Sequence, residues 1–187
     1  MTDGHIVTSV RKLHIGHKSI FSRVANCTLS RRKTNLDRSM VSSPEISICT
    51  KRDYDRIIEN LPDFWDGRDT RQFHHPMFIN EFGNSAFVIR EGEAIAAYLF
   101  GFISQTAPIG YVHAIAVHST ARRRGLAHKL FDHFIALARS KGCTHIKAAF
   151  TRALACSYYE PNNAGVFVVA DYAGSNEPRV VFWKAIV

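Results

Sequence analysis

The residues best suited to chemistry lie in one short stretch, Arg122-Arg123-Arg124-Gly125-Leu126-Ala127, at the start of an apolar helical pattern. The first N–H groups of a helix have no partner within the helix and carry a partial positive charge, so they bind phosphates well. Gly125 lets the backbone approach an anion closely, and arginine side chains add donors that match phosphate oxygens. The stretch therefore predicts a phosphate-binding loop.

This loop must be positioned by a strand before it and a helix after it. Tyr111 to Val117 is an apolar run with the length of a strand. The helix is indicated by an apolar stripe that ends near Lys141-Gly142 and consists of Leu126, Leu130, Phe134, Leu137 and Ala138. Upstream, two apolar runs, Ser85 to Arg90 and Ala94 to Ile103, flank Glu91-Gly92-Glu93, as in a β-hairpin.

The rest of the chain beyond residue 44 alternates between strand and helix patterns. A helix is expected to start at Thr50 and end near Pro62, and a second, proline-interrupted helix to run through Phe73 to Phe82. The remaining predicted elements are a strand at Glu45 to Cys49, a short helix at Ala153 to Glu160, and strands at Ile146 to Phe150, Val166 to Ala170 and Val180 to Lys184. These patterns predict an α/β or α+β domain with a mixed sheet.

The loop and its flanking elements resemble the GNAT superfamily of acetyl-CoA-dependent N-acetyltransferases, from about Glu45 to the C-terminus. The family's pyrophosphate loop reads Gln or Arg, two residues, Gly, one residue, then Gly or Ala, and the loop here matches it throughout. The resemblance implies a single-domain, mostly antiparallel sheet flanked by helices, with acetyl-CoA as co-substrate. It also implies that the cofactor is bound by Ile115, Val117, Arg122, Arg123, Arg124, Gly125, Leu126 and Ala127, the first two contacting the pantetheine arm.

The resemblance further suggests an acid for the leaving thiolate. Many GNAT enzymes use a tyrosine in a segment to which Ala155-Cys156-Ser157-Tyr158-Tyr159-Glu160 corresponds, and Tyr159 is the candidate. The segment departs from the family pattern, because Arg152 stands in place of Asn, Pro161 in place of Lys, and Asn162-Asn163 lengthen the turn. The alternative is that both tyrosines only pack against the core.

The base that deprotonates the amine is not the usual one. Several GNAT branches use a glutamate on the strand before the loop, whereas Gly110 to Ala121 contains no carboxylate. His113 is the candidate, acting directly or through water, because imidazole titrates near neutrality. Strand alternation predicts that His113 shares a face with Tyr111, Ile115 and Val117. A hydrogen-bonded core histidine is the alternative.

Acceptor contacts are expected from the early helices and loops, where Phe64, Trp65, Asp66 and Asp69 are candidates for binding a cationic amine. The alternative is a loop anchored by its aromatic residues. The acceptor is expected to be a small molecule or a protein amine, attacked directly in a ternary complex. Cys156 lacks an activating partner in sequence, which argues against a covalent intermediate.

Charge and cysteine usage limit the class of protein. Residues 1–40 carry eight Lys or Arg against two Asp, whereas the remainder is nearly neutral, so a basic, disordered extension is expected before a catalytic domain at 41–187. A mitochondrial-type presequence and a true start at Met40 are alternatives for that extension. Four widely spaced cysteines predict a reducing, cytoplasmic setting, and neither a metal site nor a membrane segment is expected.

Other functions remain open at this stage. The imperfect Tyr159 segment would suit a non-catalytic acyl-CoA-binding module. The basic residues 1–40 would suit an adaptor for nucleic acid or a membrane surface, although neither partner is expected for the domain itself. The apolar C-terminus, Val180 to Val187, would either close the sheet or form a homodimer.

Overall fold

The computed structural model describes residues 44–150 and 164–186 of the 187-residue chain. These residues form one sheet with helices packed on it. The strands are β1 (Ile46–Ile48), β2 (Ala86–Glu91), β3 (Ala94–Ile103), β4 (Ile109–Val117), β5 (His145–Phe150), β6 (Ala164–Val169) and β7 (Arg179–Ala185). The helices are α1 (Lys51–Glu59), α2 (Leu61–Phe64), α3 (Met77–Asn80) and α4 (Leu126–Ser140).

The sheet has the strand order β1-β2-β3-β4-β5-β7-β6. Every neighbouring pair is antiparallel except β4 with β5, which run parallel because α4 forms the crossover between them. The mixed, mostly antiparallel sheet with flanking helices confirms the predicted fold class. The C-terminal strand β7 lies between β5 and β6, so it completes the sheet.

The start of α1 is fixed by a capping box and an ion pair to the sheet. The Thr50 side chain accepts from the Asp53 backbone N–H, while the Asp53 carboxylate accepts from the Thr50 N–H. Asp53 is buried and also accepts two hydrogen bonds from Arg90 of β2, one from Nε and one from Nη2 of the guanidinium. Burial alone would raise the pKa of Asp53, but hydrogen bonds from Arg90 and Thr50 outweigh it and lower the pKa to about 2. The pair anchors α1 to the hairpin.

Two apolar cores cover the two faces of the sheet. The face beneath α4, called here the α4 face, includes Phe87, Leu99, Val112, Leu130, Phe134 and Ile146. The opposite face, called here the α1–α3 face, packs Ile57, Phe64, Phe78, Val88, Tyr98 and Phe100 beneath the first three helices. The apolar stripe that predicted α4 is the surface this helix buries.

The segment between α1 and β2 differs from its prediction. A proline-interrupted helix through Phe73 to Phe82 was expected, but the structure has a 3-10 turn at Arg71–Phe73, then α3, then a second 3-10 turn at Gly83–Ser85. Pro76 precedes α3, and the residue before a proline is kept out of helical conformation, so the pattern breaks at that point. The helix predicted at 153–160 lies outside the described residues, and within them no helix is long and apolar enough to cross a bilayer.

Close contact between α4 and the sheet requires glycine on β3. A Cβ at Gly101 would lie 2.6 Å from the ring of Phe134 and 2.9 Å from the carbonyl oxygen of Tyr111. The second of these atoms belongs to the backbone of β4, which cannot rotate away. Gly101 therefore sets how closely α4 approaches β3 and β4.

Gly101→Ala is expected to lower the free energy of unfolding by about 1 to 3 kcal/mol, because the added methyl overpacks this contact. Gly83→Ala is the matched control, since a Cβ there meets no atom within 4 Å. Urea denaturation of both full-length variants measures the difference. Equal stability of the two variants would show that α4 does not depend on this contact.

Candidate functional site

Strands β4 and β5 separate part-way along their length. Their pairing runs from Ile109↔His145 to Val112↔Ala148. Beyond Val112, β4 continues to Val117 and pairs, among residues 44–150 and 164–186, with β3 alone. The edge of β4 that faces away from β3 therefore offers backbone donors and acceptors to a ligand.

A β-bulge lies where the strands separate. Phe100 pairs with Ala114 and Gly101 with Val112, so His113 is an extra residue without a partner in β3. The bulge changes which side chains share a face: Ile115 packs against the core on the α4 face, whereas His113 stacks on Phe78 on the α1–α3 face. The expectation that His113 shares a face with Ile115 and Val117 is wrong, because strict alternation ends at a bulge.

His113 is held in one orientation on the α1–α3 face. Its Nε2 lies 2.7 Å from the carbonyl oxygen of Phe73, and its ring stacks on Phe78 with centroids 4.4 Å apart. A carbonyl oxygen only accepts, so Nε2 carries the proton and Nδ1 keeps its lone pair. Burial lowers the pKa of His113, although the hydrogen bond to Phe73 acts in the opposite sense. His113 is therefore neutral at pH 7 and able to accept a proton.

The predicted phosphate loop has the backbone of an anion site. Arg123 (φ 61°) and Gly125 (φ 75°) both adopt left-handed conformations, and a Cβ at Gly125 would meet no atom within 4 Å. Gly125 is the N-cap of α4 without a side-chain cap, and the Lys129 N–H is bonded to the Gly125 carbonyl at 3.1 Å. The N–H groups of residues 126–128 therefore precede the first helical hydrogen bond and have no partner within the helix.

The three arginines of the loop have different roles. Arg122 donates to Asp66 Oδ1 at 2.6 Å, to the Phe64 carbonyl at 3.1 Å and to the Val117 carbonyl at 3.3 Å. Arg124 forms an ion pair with Glu91 in the β2–β3 hairpin.

Through these contacts Arg122 and Arg124 tie the loop to neighbouring segments. Arg123 makes no ion pair within the described part of the chain and is exposed. Arg123 is therefore the side chain of the triplet that can reach an incoming anion.

One cavity of about 370 Å³ connects the loop with the edge of β4. It brings together every predicted cofactor-binding residue except Arg124. The Leu126 side chain is buried in the core, so only its backbone faces this space. The far wall is formed by Phe64, Trp65, Asp66 and Arg68. The predicted acceptor residue Asp69 does not line this cavity, and its carboxylate accepts from the Arg71 N–H.

A buried hydrogen-bond chain holds this wall on the sheet. The Tyr98 hydroxyl accepts from Trp65 Nε1–H at 2.7 Å and lies 2.7 Å from His74 Nε2. The Nδ1–H of His74 donates to the Thr70 carbonyl at 2.8 Å, so Nε2 is the acceptor for Tyr98. Burial lowers the pKa of His74, which keeps it neutral. Trp65 therefore anchors its loop to the sheet, as the alternative interpretation of the sequence proposed.

The described cysteines are poorly suited to act as nucleophiles. The thiols of Cys49 and Cys143 are buried, and burial together with Asp53 raises the pKa of Cys49 to about 12. Tyr159 and Cys156 lie outside the described residues. Within the described residues, no three His, Cys, Asp or Glu side chains are grouped as metal ligands.

The sequence model of the Acetyltransferase (GNAT) family matches residues 53–162, more than half of the chain. The chain belongs to the GNAT acetyltransferase family. The match begins inside α1, includes the β2–β3 hairpin, β4, the loop and α4, and contains every residue that lines the cavity. The resemblance read from the loop motif is therefore confirmed. No curated protein matches the chain by sequence.

Solved structures share this GNAT fold at low identity. The ribosomal-protein-S18-alanine N-acetyltransferase from Escherichia coli aligns with a TM-score of 0.57 at 16% identity, over 77% of this chain and 94% of its own. An aminoglycoside 6'-N-acetyltransferase complexed with coenzyme A aligns with a TM-score of 0.55 at 13% identity, over 76% and 97%.

A third solved structure widens the range of chemistry on the fold. The GNAT-like decarboxylase GphF, in complex with isobutyryl-CoA, aligns with a TM-score of 0.60 at 12% identity, over 76% of this chain and 100% of its own. At such identities the likeness establishes the fold, and the reaction has to be argued from the site of this chain.

Sequence reasoning missed the features that depend on tertiary contacts. The bulge at His113 interrupts an apolar run, Tyr111 to Val117, that contains no glycine or proline to mark it. The Arg122–Asp66 pair joins residues 56 positions apart. The one sequence signal near the bulge is Gly101, because a glycine inside a strand often marks a bulge or a close backbone approach.

Proposed function

We propose that this GNAT protein is an N-acetyltransferase that moves an acetyl group from acetyl-CoA to a primary amine by direct attack in a ternary complex. The observation that carries the proposal is the single cavity running from the N-terminus of α4 to the separated edge of β4. An anion site and an open strand edge in one cavity suit a ligand that has a diphosphate at one end and an amide-containing arm at the other.

The diphosphate is assigned to the backbone of the loop. The unpaired N–H groups of residues 126–128 and the left-handed backbone at Arg123 and Gly125 supply donors in a concave arrangement. Arg123 adds a cation, while the ties made by Arg122 and Arg124 keep the loop in this shape before the ligand arrives. Preorganisation of this kind lowers the ordering cost of binding.

The pantetheine arm is assigned to the free edge of β4 at Ile115 and Val117. Both side chains pack against the core on the α4 face, which leaves their backbone to pair with the amides of the arm. The thioester at the end of the arm would then lie near the point where β4 and β5 separate, beside His113. This placement puts the acetyl carbon beside the candidate base, which lies two residues along β4 from Ile115 at the cavity wall.

Catalysis requires a neutral amine and a protonated leaving group. The amine nitrogen attacks the thioester carbonyl carbon, a C–N bond forms and the C–S bond breaks. His113, with its lone pair on Nδ1, takes the proton of the amine directly or through a water. Tyr159, assigned by the family motif alone, would give its proton to the thiolate. The alternative is an acyl-CoA-binding module, which would bind acetyl-CoA but release no CoA when an amine is added.

The cofactor assignment is tested by two matched glycine variants at opposite ends of α4. Gly125 and Gly142 have φ of 75° and 77°, and a Cβ at either meets no atom within 4 Å. Gly125→Glu and Gly142→Glu therefore introduce similar backbone strain, bulk and charge, but only Gly125 lies in the cavity. Thermal melting of the full-length proteins with and without acetyl-CoA is the measurement.

Acetyl-CoA at 100 times its Kd should stabilise the parent and Gly142→Glu by about 2.7 kcal/mol. Gly125→Glu should show no shift, because a carboxylate would occupy the phosphate position. A ligand shift that survives in Gly125→Glu, or that is absent from the parent, would contradict the assignment.

The role of His113 is tested with His113→Gln, which keeps a donor for the Phe73 carbonyl but cannot take a proton at neutral pH. We expect turnover to fall by about 100-fold or more while acetyl-CoA binding is retained. The pKa of His113 is lowered, so the parent's kcat/KM should be level at pH 7 and fall with a midpoint below 6.5.

The acidic fall in kcat/KM should be lost in His113→Gln. His133→Gln is the control, because His133 is exposed on α4. Turnover of His113→Gln within about twofold of the parent, with the acidic fall intact, would remove His113 from the mechanism.

A further inference from the structure

The α1–α3 face of β4 and β5 carries a second group of residues beside the proposed reaction point. Tyr111 and Lys147 are register partners on the two strands. The Tyr111 hydroxyl lies 3.4 Å from the hydroxyl of Tyr172, and Lys147 Nζ lies 5.2 Å from the centroid of the Tyr172 ring. Tyr172 belongs to the loop between β6 and β7, so this loop meets the sheet where β4 and β5 begin to separate.

This group belongs to the same face as His113. Ile146 and Ala148 are buried on the α4 face, so Lys147, between them, points to the opposite side. Tyr111 stacks on Phe102, which packs against the core of the α1–α3 face. The bulge at His113 follows two residues after Tyr111, which places the candidate base about 7 Å along the strand from the Tyr111–Lys147 pair.

The surroundings of Lys147 are aromatic and lack an acidic partner. In the described ranges no carboxylate lies within 4.0 Å of its amine. The two acidic side chains in the β6–β7 loop are engaged elsewhere, since Asp171 accepts from the Asn176 N–H and Glu177 pairs with Arg179. Three large apolar residues near this group are exposed: Phe73, Met77 and Tyr172 have exposed fractions of 46%, 38% and 36%.

We infer that the acceptor is an amine that also carries a carboxylate, on an aromatic or apolar frame, and that Lys147 binds this carboxylate. The inference rests on the proposed function and names the substrate class of the same site. Lys147, partly buried and unmatched by a carboxylate of the described chain, attracts an anion. The aromatic residues Phe102, Tyr111 and Tyr172 offer the acceptor apolar surface. A polycation would instead meet Lys147 without an acidic group to offset it.

The position of Lys147 also assists the reaction. A cation near the acceptor disfavours the protonated amine, so the amine loses its proton to His113 more easily. Lys147 also repels polycationic acceptors such as aminoglycosides or polyamines. It therefore favours carboxylate-bearing amines both by attracting them and by repelling their competitors.

The experiment compares acceptors that differ only in the carboxylate, with acetyl-CoA as donor and the full-length protein. The pairs are phenylalanine with phenethylamine, and 4-(aminomethyl)benzoate with benzylamine, which cover short and long separations between amine and carboxylate. Spermidine is the polycationic probe. Release of CoA is followed for the parent, Lys147→Met and Lys147→Arg.

The parent should favour the carboxylate-bearing member of at least one pair by about tenfold or more in kcat/KM. Lys147→Met should remove this preference by lowering kcat/KM for the carboxylate-bearing acceptor by about tenfold or more, and Lys147→Arg should keep it. Binding of acetyl-CoA, measured by thermal melting, should be unchanged in all three proteins.

Three results would overturn the inference while leaving the acetyltransferase proposal intact. They are a kcat/KM in the parent that is equal or higher for the carboxylate-free partner or spermidine, a carboxylate preference that persists in Lys147→Met, and, with succinyl-CoA as a second donor, a Lys147-dependent preference for succinyl-CoA over acetyl-CoA. The last would place the carboxylate on the donor. No turnover of any amine despite acetyl-CoA binding would instead reject the acetyltransferase proposal, and this inference with it.

Discussion

The separation of β4 from β5 after Val112 and Ala148 is the constraint on which the rest of the site depends. Parallel strands that stayed paired would leave no edge for a ligand, and the cavity at the N-terminus of α4 would end against the sheet. The bulge at His113 occurs at the same point and moves this side chain to the α1–α3 face. A single irregularity in β4 thus accompanies both the open edge and the orientation of the candidate base.

Most charged side chains around the cavity form ion pairs between segments of the protein. Arg122 and Arg124 join the phosphate loop to the α2 region and to the β2–β3 hairpin, and Arg90 joins α1 to β2 through Asp53. The exposed pairs contribute little stability individually, but they restrict the loop to one shape. Arg123 at the phosphate end and Lys147 at the acceptor end are, by contrast, cationic side chains that make no ion pair within the described residues.

The sequence was sufficient to predict the sheet, α4 and the loop, because their signals are local. The apolar stripe of α4, the Glu91-Gly92-Glu93 turn and the motif from Arg122 to Ala127 each lie within one element or junction. The segment from Phe73 to Phe82 was predicted as a proline-interrupted helix, but within it only Met77–Asn80 is α-helical, because Pro76 divides the segment into short turns. The face of His113 and the partners of Arg122 could not be predicted, since a bulge and a contact across 56 residues depend on tertiary packing.

Amide hydrogen exchange of the full-length protein with and without acetyl-CoA tests the central claim most directly, because it reports on the backbone groups assigned to the ligand. The account predicts slower exchange at residues 124–128 and 113–117 on binding, beyond any uniform slowing of the domain. The C-terminal end of α4 near Gly142 should change no more than the domain average. Protection absent from both segments, or concentrated elsewhere on the sheet, would contradict the assignment of the cavity to acetyl-CoA.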